Sequence, residues 1–352
     1  MFNKPLRVYY EAQQYISHDR AASDYRRILA ELGCLTPELA DADVVVLHFE
    51  PQFYGPILTG DDEVRRKYVI GYTVWETEEL PIEHRRGIAL LDEIWTPSEF
   101  CRRVFARYHP RVVRIPHVCR RQRAMTPADL EYVAGKLRHD PACFYYLVVA
   151  DQLDSRKNAA LVMRAFAYVH ERLPQTRLIV KTRRGDDVLA VTRGIAWKSC
   201  PAITVINEML SDAQLDALYE LSNVVVSAHH AEAWGLAISD AMLLGRLVIV
   251  TGYSGNMDYT DKTNALLVDC SVAAVLPADS YGHFTRAMSW ANPHRESLEN
   301  QMIAAHALFG ERAHRRMLRA ARKSVDRFSP HKVKRIVAAR LKALRGELRS
   351  TT

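Results

Sequence analysis

The sequence predicts an α/β fold of two Rossmann-like domains followed by a basic helical tail, and three observations carry that prediction. Short apolar runs alternate with helical stretches from start to finish, the pattern of parallel strands joined by helices. At 352 residues the chain exceeds the length at which a single core usually stops growing. Between Pro116 and Pro141 the alternation breaks, and Arg120-Arg121-Gln122-Arg123 stands where a boundary belongs.

In the first half, strands are expected at Leu6–Tyr10, Asp43–His48, Tyr68–Trp75, Glu93–Thr96 and Val112–Ile115, with helices such as Ala21–Leu32 and Ser98–Tyr108 between them. Thr126 as N-cap and Pro127 as first helical residue open the next helix. The second series runs strand Phe144–Ala150, helix Ala159–Arg172, strand Arg177–Lys181 and strand Ala202–Ile206. Ser211-Asp212-Ala213-Gln214 reads as a capping box opening a helix to Leu221. Strand Asn223–Ser227, an apolar helix Leu236–Leu244 closed by Gly245, and strand Leu247–Thr251 follow. The expected division is residues 1–125 for a first Rossmann-like domain, 126–300 for a second, and 301–352 for a helical tail.

Hydrophobic content of 48% with 25% charged residues fits a globular protein, and no apolar run approaches the ~20 residues that span a bilayer. The opening Met1-Phe2-Asn3-Lys4-Pro5 lacks the apolar stretch of a secretory leader, so a cytoplasmic protein is expected. Cys34, Cys101, Cys119, Cys143, Cys200 and Cys270 are scattered, as reduced thiols would be, without metal or redox spacing. The net charge of +7 implies an anionic partner. Much of it sits in the tail, at Arg312-Ala313-His314-Arg315-Arg316 and Lys332-Val333-Lys334-Arg335, which makes an anionic membrane surface a candidate partner.

Parallel sheets bind ligands at the carboxyl ends of their strands, and the unusual residues of the second half lie there. After Phe144–Ala150 comes Asp151-Gln152-Leu153-Asp154-Ser155-Arg156-Lys157-Asn158. After Asn223–Ser227 comes Ala228-His229-His230-Ala231-Glu232-Ala233-Trp234-Gly235, and after Leu247–Thr251 comes Gly252-Tyr253-Ser254-Gly255-Asn256-Met257-Asp258. Arg156 and Lys157, combined with helix-terminal amides, suit a diphosphate. Gly255 would let backbone approach the same ligand. Asp240 lies in a helix so apolar that burial is expected, and a buried carboxylate needs a partner. Two adjacent ribose hydroxyls would serve; a buried salt bridge or cap is the structural alternative. Glu232, in the loop before that helix, is placed to meet sugar hydroxyls.

The stretch Ser227 to Leu236 through Asp240-Ala241-Met242 resembles the glutamate, seven residues, glutamate motif of family 4 retaining glycosyltransferases (glycosyl transferases group 1). Ser155-Arg156-Lys157-Asn158 is similar to their diphosphate loop, and Ser254-Gly255-Asn256-Met257-Asp258 with Asn264 and Val268 to their sugar loop. Trp75-Glu76 with Leu80-Pro81, and Glu93-Ile94-Trp95-Thr96-Pro97-Ser98-Glu99-Phe100, match a pattern of the same relatives. The resemblance implies a GT-B architecture, two Rossmann-like domains facing across a cleft, and transfer from a UDP-sugar or GDP-sugar with retention. It implies donor-sugar contact by Glu232, ribose contact by Asp240, diphosphate contact by Arg156 and Lys157, and a donor site completed by Trp234, Gly235, Leu236, Ser254, Gly255 and Asn256. No other cofactor and no divalent metal are implied. Two departures stand out: Asp240 is one methylene shorter than the usual glutamate, and Gln152 replaces a frequent arginine.

His48, ending an apolar strand, and Glu76 are acceptor-side candidates, facing a glycan or lipid-linked acceptor. His229-His230, Asp61-Asp62 and Asp186-Asp187 could suggest metal, but adjacent ligands diverge from a loop and both acidic pairs follow a glycine in turn-like contexts. A nicotinamide dehydrogenase lacks support, because no G-x-G-x-x-G follows a strand. A basic nucleic-acid-binding protein would account for the charge but not for Asp240, and a catalytically degenerate nucleotide-sugar-binding protein is the third alternative.

Overall fold

A computed structural model describes residues 5–14, 16–121, 125–150, 154–183 and 200–350. The chain forms two compact units, the first running through Val118 and regaining the chain from Phe328, the second Cys119–Arg327.

The first unit contains β1 (Val8–Ala12), α1 (Ile16–Glu31), β2 (Val44–His48), α2 (Tyr54–Gly60), α3 (Asp62–Arg65), β3 (Tyr68–Tyr72), α4 (Ile82–Ile88), β4 (Glu93–Thr96), α5 (Glu99–Ala106) and β5 (Val112–Arg114). Its five strands pair in parallel in chain order. Every residue of β2 and β4 is buried, and β2 accordingly reads as a continuous apolar run, Val44 to Leu47, rather than an alternating one. Ser98 caps α5 by accepting from the amide of Cys101.

The second unit contains α6 (Pro127–Leu137), β6 (Phe144–Val149), α7 (Ala159–Arg172), β7 (Thr176–Thr182), β8 (Ile203–Asn207), α8 (Asp212–Glu220), β9 (Val224–Ser227), α9 (Leu236–Leu243), β10 (Leu247–Thr251), β11 (Leu266–Val268), the hairpin β12 (Cys270–Ala274) and β13 (Ser289–Pro293), α10 (Arg295–Leu308) and α11 (Arg312–Asp326). Both capping boxes are present, Thr126 with Asp129 on α6 and Ser211 with Gln214 on α8. The six-stranded parallel sheet has the order β11-β10-β9-β6-β7-β8. From β6 the chain winds outward to β8, then returns to β9 on the opposite side of β6. The strand order therefore reverses between β6 and β9, and such a switch point leaves a crevice at the carboxyl ends of the two strands. The first unit's sheet, whose order never reverses, has none among the described residues.

The tail divides where the sequence reading kept it whole. α10 buries Leu298, Met302 and Ala305 in the second unit's core, and Tyr146 donates to the Met302 carbonyl at 2.7 Å. α11 packs on α9. Only the last helix, α12 (Pro330–Ser350), joins the first unit, burying Val333, Val337, Leu341 and Leu344 and meeting α1. Among the described residues no helix is long and apolar enough to cross a membrane. None of the six cysteines is in a disulfide.

Glu93 on β4 is fully buried and anchors α12. Its carboxylate accepts from Trp95 Nε1 at 2.6 Å, the Tyr68 hydroxyl at 3.2 Å and Arg340 Nε at 2.8 Å, with a second bond from Arg340 Nη2. Arg340→Ala would leave that carboxylate uncompensated and should cost about 3–5 kcal/mol in urea unfolding. Glu93→Gln with Arg340→Met should lose less than Arg340→Ala alone.

Candidate functional site

The loops after β6 and β9 bring Arg156, Lys157 and Glu232 together at the switch point. Asp154 accepts from the amide of Lys157 at 2.9 Å and so starts the single 3-10 turn Ser155–Lys157. Asn158 then takes a left-handed conformation, φ 54°, and releases the chain into α7. This tight turn aims Arg156 and Lys157 at β9 rather than along their own helix. Lys157 Nζ donates to Glu232 Oε1, and Arg156 Nη1 stands 3.6 Å from Glu232 Oε2 while donating to the Ala231 carbonyl at 3.1 Å.

Glu232 is 7% exposed. Burial alone would raise its carboxyl, but Lys157 and Arg156 outweigh burial and hold its pKa at about 2. It is a carboxylate at any physiological pH and a weak proton acceptor.

The loop after β10 grips Glu232 by its backbone. Ser254 Oγ accepts from the Glu232 amide at 2.9 Å, and the Gly255 amide donates to the Glu232 carbonyl at 2.8 Å. A Cβ on Gly255 would stand 2.0 Å from the Ala233 carbonyl oxygen, so no side chain fits. The close approach that this glycine permits is thus to the Glu232 loop. Asn256 is fully buried, donates to the Thr251 carbonyl at 3.0 Å, and so turns its own oxygen toward His229 Nε2, 3.1 Å away. That orientation places the His229 proton on Nε2 and leaves Nδ1 to accept from Ser227 Oγ at 2.9 Å. Burial lowers the His229 pKa to about 4, so the ring is a neutral structural link.

Asp240 differs from the sequence expectation. It is half-buried rather than buried, because α9 keeps one open stripe of Leu236, Ala237, Asp240 and Leu243. The other side of α9 is apolar and packed, which made the whole helix read as enclosed. Gly235, at φ 87°, begins α9 without a side-chain cap, and its carbonyl accepts from the Tyr259 hydroxyl at 2.9 Å. Trp234 is buried, its Nε1 3.3 Å from Ser239 Oγ.

In the first unit, His48 is buried at the end of β2, with Nδ1 2.9 Å from the Tyr10 hydroxyl and its ring stacked on His18 at 4.8 Å. Burial, then the neighbouring His18 and His117, push its pKa well below the ordinary value. Glu76 is half-buried beyond β3. Asp61 caps α3 and Asp62 pairs with Arg65, whereas Gln152 and Asp186-Asp187 lie outside the described residues. Among the described residues no cluster of His, Cys, Asp or Glu could hold a metal ion.

The sequence reading missed the joint use of His229 and Asn256, and the role of His230, which the hairpin holds. The adjacent histidines were a signal, but one that pointed to metal.

The Glu232 pairing has a measurable acid signature. Its folded-state pKa lies below the ordinary 4.5, so the stability it contributes is present above that value and is lost as pH falls toward about 2. Between pH 6 and pH 3 the parent should lose roughly 2 kcal/mol more stability than Glu232→Gln, as read by denaturant unfolding at each pH.

Residues 141–276 match the family model described as glycosyl transferases group 1. A glycosyltransferase from Rickettsia africae ESF-5 superposes with a TM-score of 0.72 at 14% identity, over 97% of this chain and 99% of that one. Anabaena Alr3699/HepE, crystallised with UDP-glucose, gives 0.70 at 13% identity, over 96% and 100%. Sucrose-phosphate synthase from Thermosynechococcus elongatus gives 0.64 at 15% identity, over 93% and 77%. At these identities the likeness is one of fold. No curated protein matches the chain. Residues 141–276 thus carry a glycosyl transferases group 1 domain, set in a fold that the whole chain shares with solved glycosyltransferases.

Proposed function

We propose that the second unit binds a nucleotide-diphosphate sugar at the β6–β9 switch point and that the enzyme transfers its glycosyl group to a hydroxyl acceptor with retention, as family 4 enzymes do. The observation that carries this reading is the pairing of buried Glu232 with half-buried Arg156 and Lys157 at that switch point. Arg156 and Lys157 would take the diphosphate, helped by the first-turn amides of α9, which no side chain caps. Asp240, on the open stripe of α9, would take the ribose hydroxyls, and Glu232 the hydroxyls of the donor sugar. Structures of similar fold crystallised with UDP-glucose, or with UDP and GlcNAc, favour a UDP-sugar over a GDP-sugar.

Glu232, held at about 2, is a poor base, which favours same-face attack. The acceptor oxygen bonds to the anomeric carbon as the bond to the phosphate oxygen breaks, and that phosphate oxygen takes the acceptor proton. Fixed charge from Arg156 and Lys157 stabilises the leaving diphosphate, so no divalent metal is required. The acceptor, a glycan or lipid-linked glycan of polysaccharide, lipopolysaccharide or glycoconjugate synthesis, would meet the strand ends of the first unit, with Glu76 the more open group and His48 the buried one.

We assign the enzyme to the cytoplasm, peripheral on an anionic membrane. α11 supports this, because Arg312, Arg315, Arg316, Arg319, Arg322 and Lys323 are all exposed on it. Its exposed face carries no aromatic residue for base stacking, so no nucleic acid is assigned as a partner.

Three experiments test these readings. Arg156→Ala and Lys157→Ala should each weaken binding of a nucleoside diphosphate by roughly 1.5–3 kcal/mol in calorimetry while leaving the nucleoside unaffected. Proton NMR of the product should show the donor's anomeric configuration, with turnover surviving chelator; inversion would overturn the stereochemical assignment. In co-sedimentation, vesicles containing phosphatidylserine should retain the protein at low salt and neutral vesicles should not. Charge reversal at Arg315 and Arg319 should release it, each basic residue contributing about 1 kcal/mol.

A further inference from the structure

The hairpin of β12 and β13 extends past the family match, which ends at residue 276, and it returns to both loops that carry the site's charges. On one side, Ser155 donates its hydroxyl to the Asp279 carbonyl at 2.8 Å, in the segment joining the two strands. On the other, β13 holds His230 three ways. The Ala291 amide donates to the His230 carbonyl at 3.0 Å, His230 Nδ1 stands 2.6 Å from the Ala291 carbonyl, and the His230 ring stacks on Trp290 at 4.7 Å and 11°. A carbonyl only accepts, so Nδ1 carries the proton. The amide of His230, in turn, donates to the Arg156 carbonyl at 2.8 Å.

His230 therefore joins three pieces of chain: the hairpin, the turn bearing Arg156 and Lys157, and, two residues on, Glu232. The Glu232 backbone is already held by Ser254 and Gly255, so the hairpin's contacts fix a different quantity, the spacing between the two charged loops. We propose that the hairpin is a brace and His230 its positioning residue, setting the distance from Glu232 to the cations so that the site favours a sugar diphosphate over a nucleoside diphosphate alone. This rests on the donor site proposed above.

The test uses the full chain and calorimetry with UDP, GDP, UDP-glucose, UDP-N-acetylglucosamine and GDP-mannose. Binding of none of them by the parent would overturn the donor-site reading itself, and the brace with it. Given a parent that binds, His230→Ala should lower the affinity ratio of sugar nucleotide to its nucleoside diphosphate roughly tenfold, the effect of about one hydrogen bond. Nucleoside diphosphate affinity should stay within about twofold. His230→Asn, whose amide N–H reaches the position of Nδ1–H, should restore most of the ratio. Ser155→Ala, which cuts the other tie, should move the ratio in the same direction and carries the test if His230→Ala does not fold. A ratio unchanged in both variants, or both affinities falling together with the melting temperature and no rescue by asparagine, would overturn the brace.

Discussion

Everything at the switch point depends on burying one carboxylate with two cations. Leaving Glu232 unpaired there would cost several kcal/mol, and so would leaving Lys157 or Arg156 without an anion. Set together they offset one another and hold the site folded around its own charges. An incoming diphosphate brings negative charge that competes for the cations, and the sugar attached to it brings hydroxyl donors that suit the carboxylate. The same residues are thus complementary to each other and to the proposed ligand, so binding exchanges one set of charge-assisted bonds for another.

Such an exchange works only if the backbone stays still. The amide and carbonyl of Glu232 are both held by the next loop, through Ser254 and Gly255. That loop is held in turn by Asn256, which spends its amide on Thr251 and its oxygen on His229. Each of these groups is buried, and each finds a partner of fixed polarity. The result is a rigid frame around a carboxylate that is itself held only through its side chain.

The alternation of apolar runs made the two sheets legible, because buried parallel strands announce themselves locally. β4, β10 and α7 fall where the sequence puts them, and the Thr126 N-cap and the Ser211 capping box were both readable. The strand order was not readable, since nothing local in β9 says that it will pair with β6. The hairpin escaped because Ser271, Val272, Ala273 and Ala274 are all exposed and carry no buried face to set a period. The division of the tail escaped for a related reason. α10, α11 and α12 are all amphipathic, and only the partner across space, such as Glu93 for Arg340, decides which unit each one joins. Arg156, Lys157 and Glu232 were legible as residue types at strand ends, whereas the contact of His230 with Trp290 spans sixty residues of sequence.

Two of the buried carboxylates, Glu93 and Glu232, show why one is structural and the other is suited to a ligand. A carboxylate offers about four acceptor positions. Glu93 fills them from Trp95, Tyr68 and two nitrogens of Arg340, so its bonding is complete within the protein. Among the described residues the Glu232 carboxylate receives a hydrogen bond from Lys157 and a looser ion pair from Arg156 at 3.6 Å. It is charged and nearly enclosed, yet it keeps acceptor capacity that the described residues do not use. In a frame where the neighbouring amide, histidine and hydroxyl groups are satisfied, that remaining capacity suits a partner from outside the chain, the proposed sugar hydroxyl.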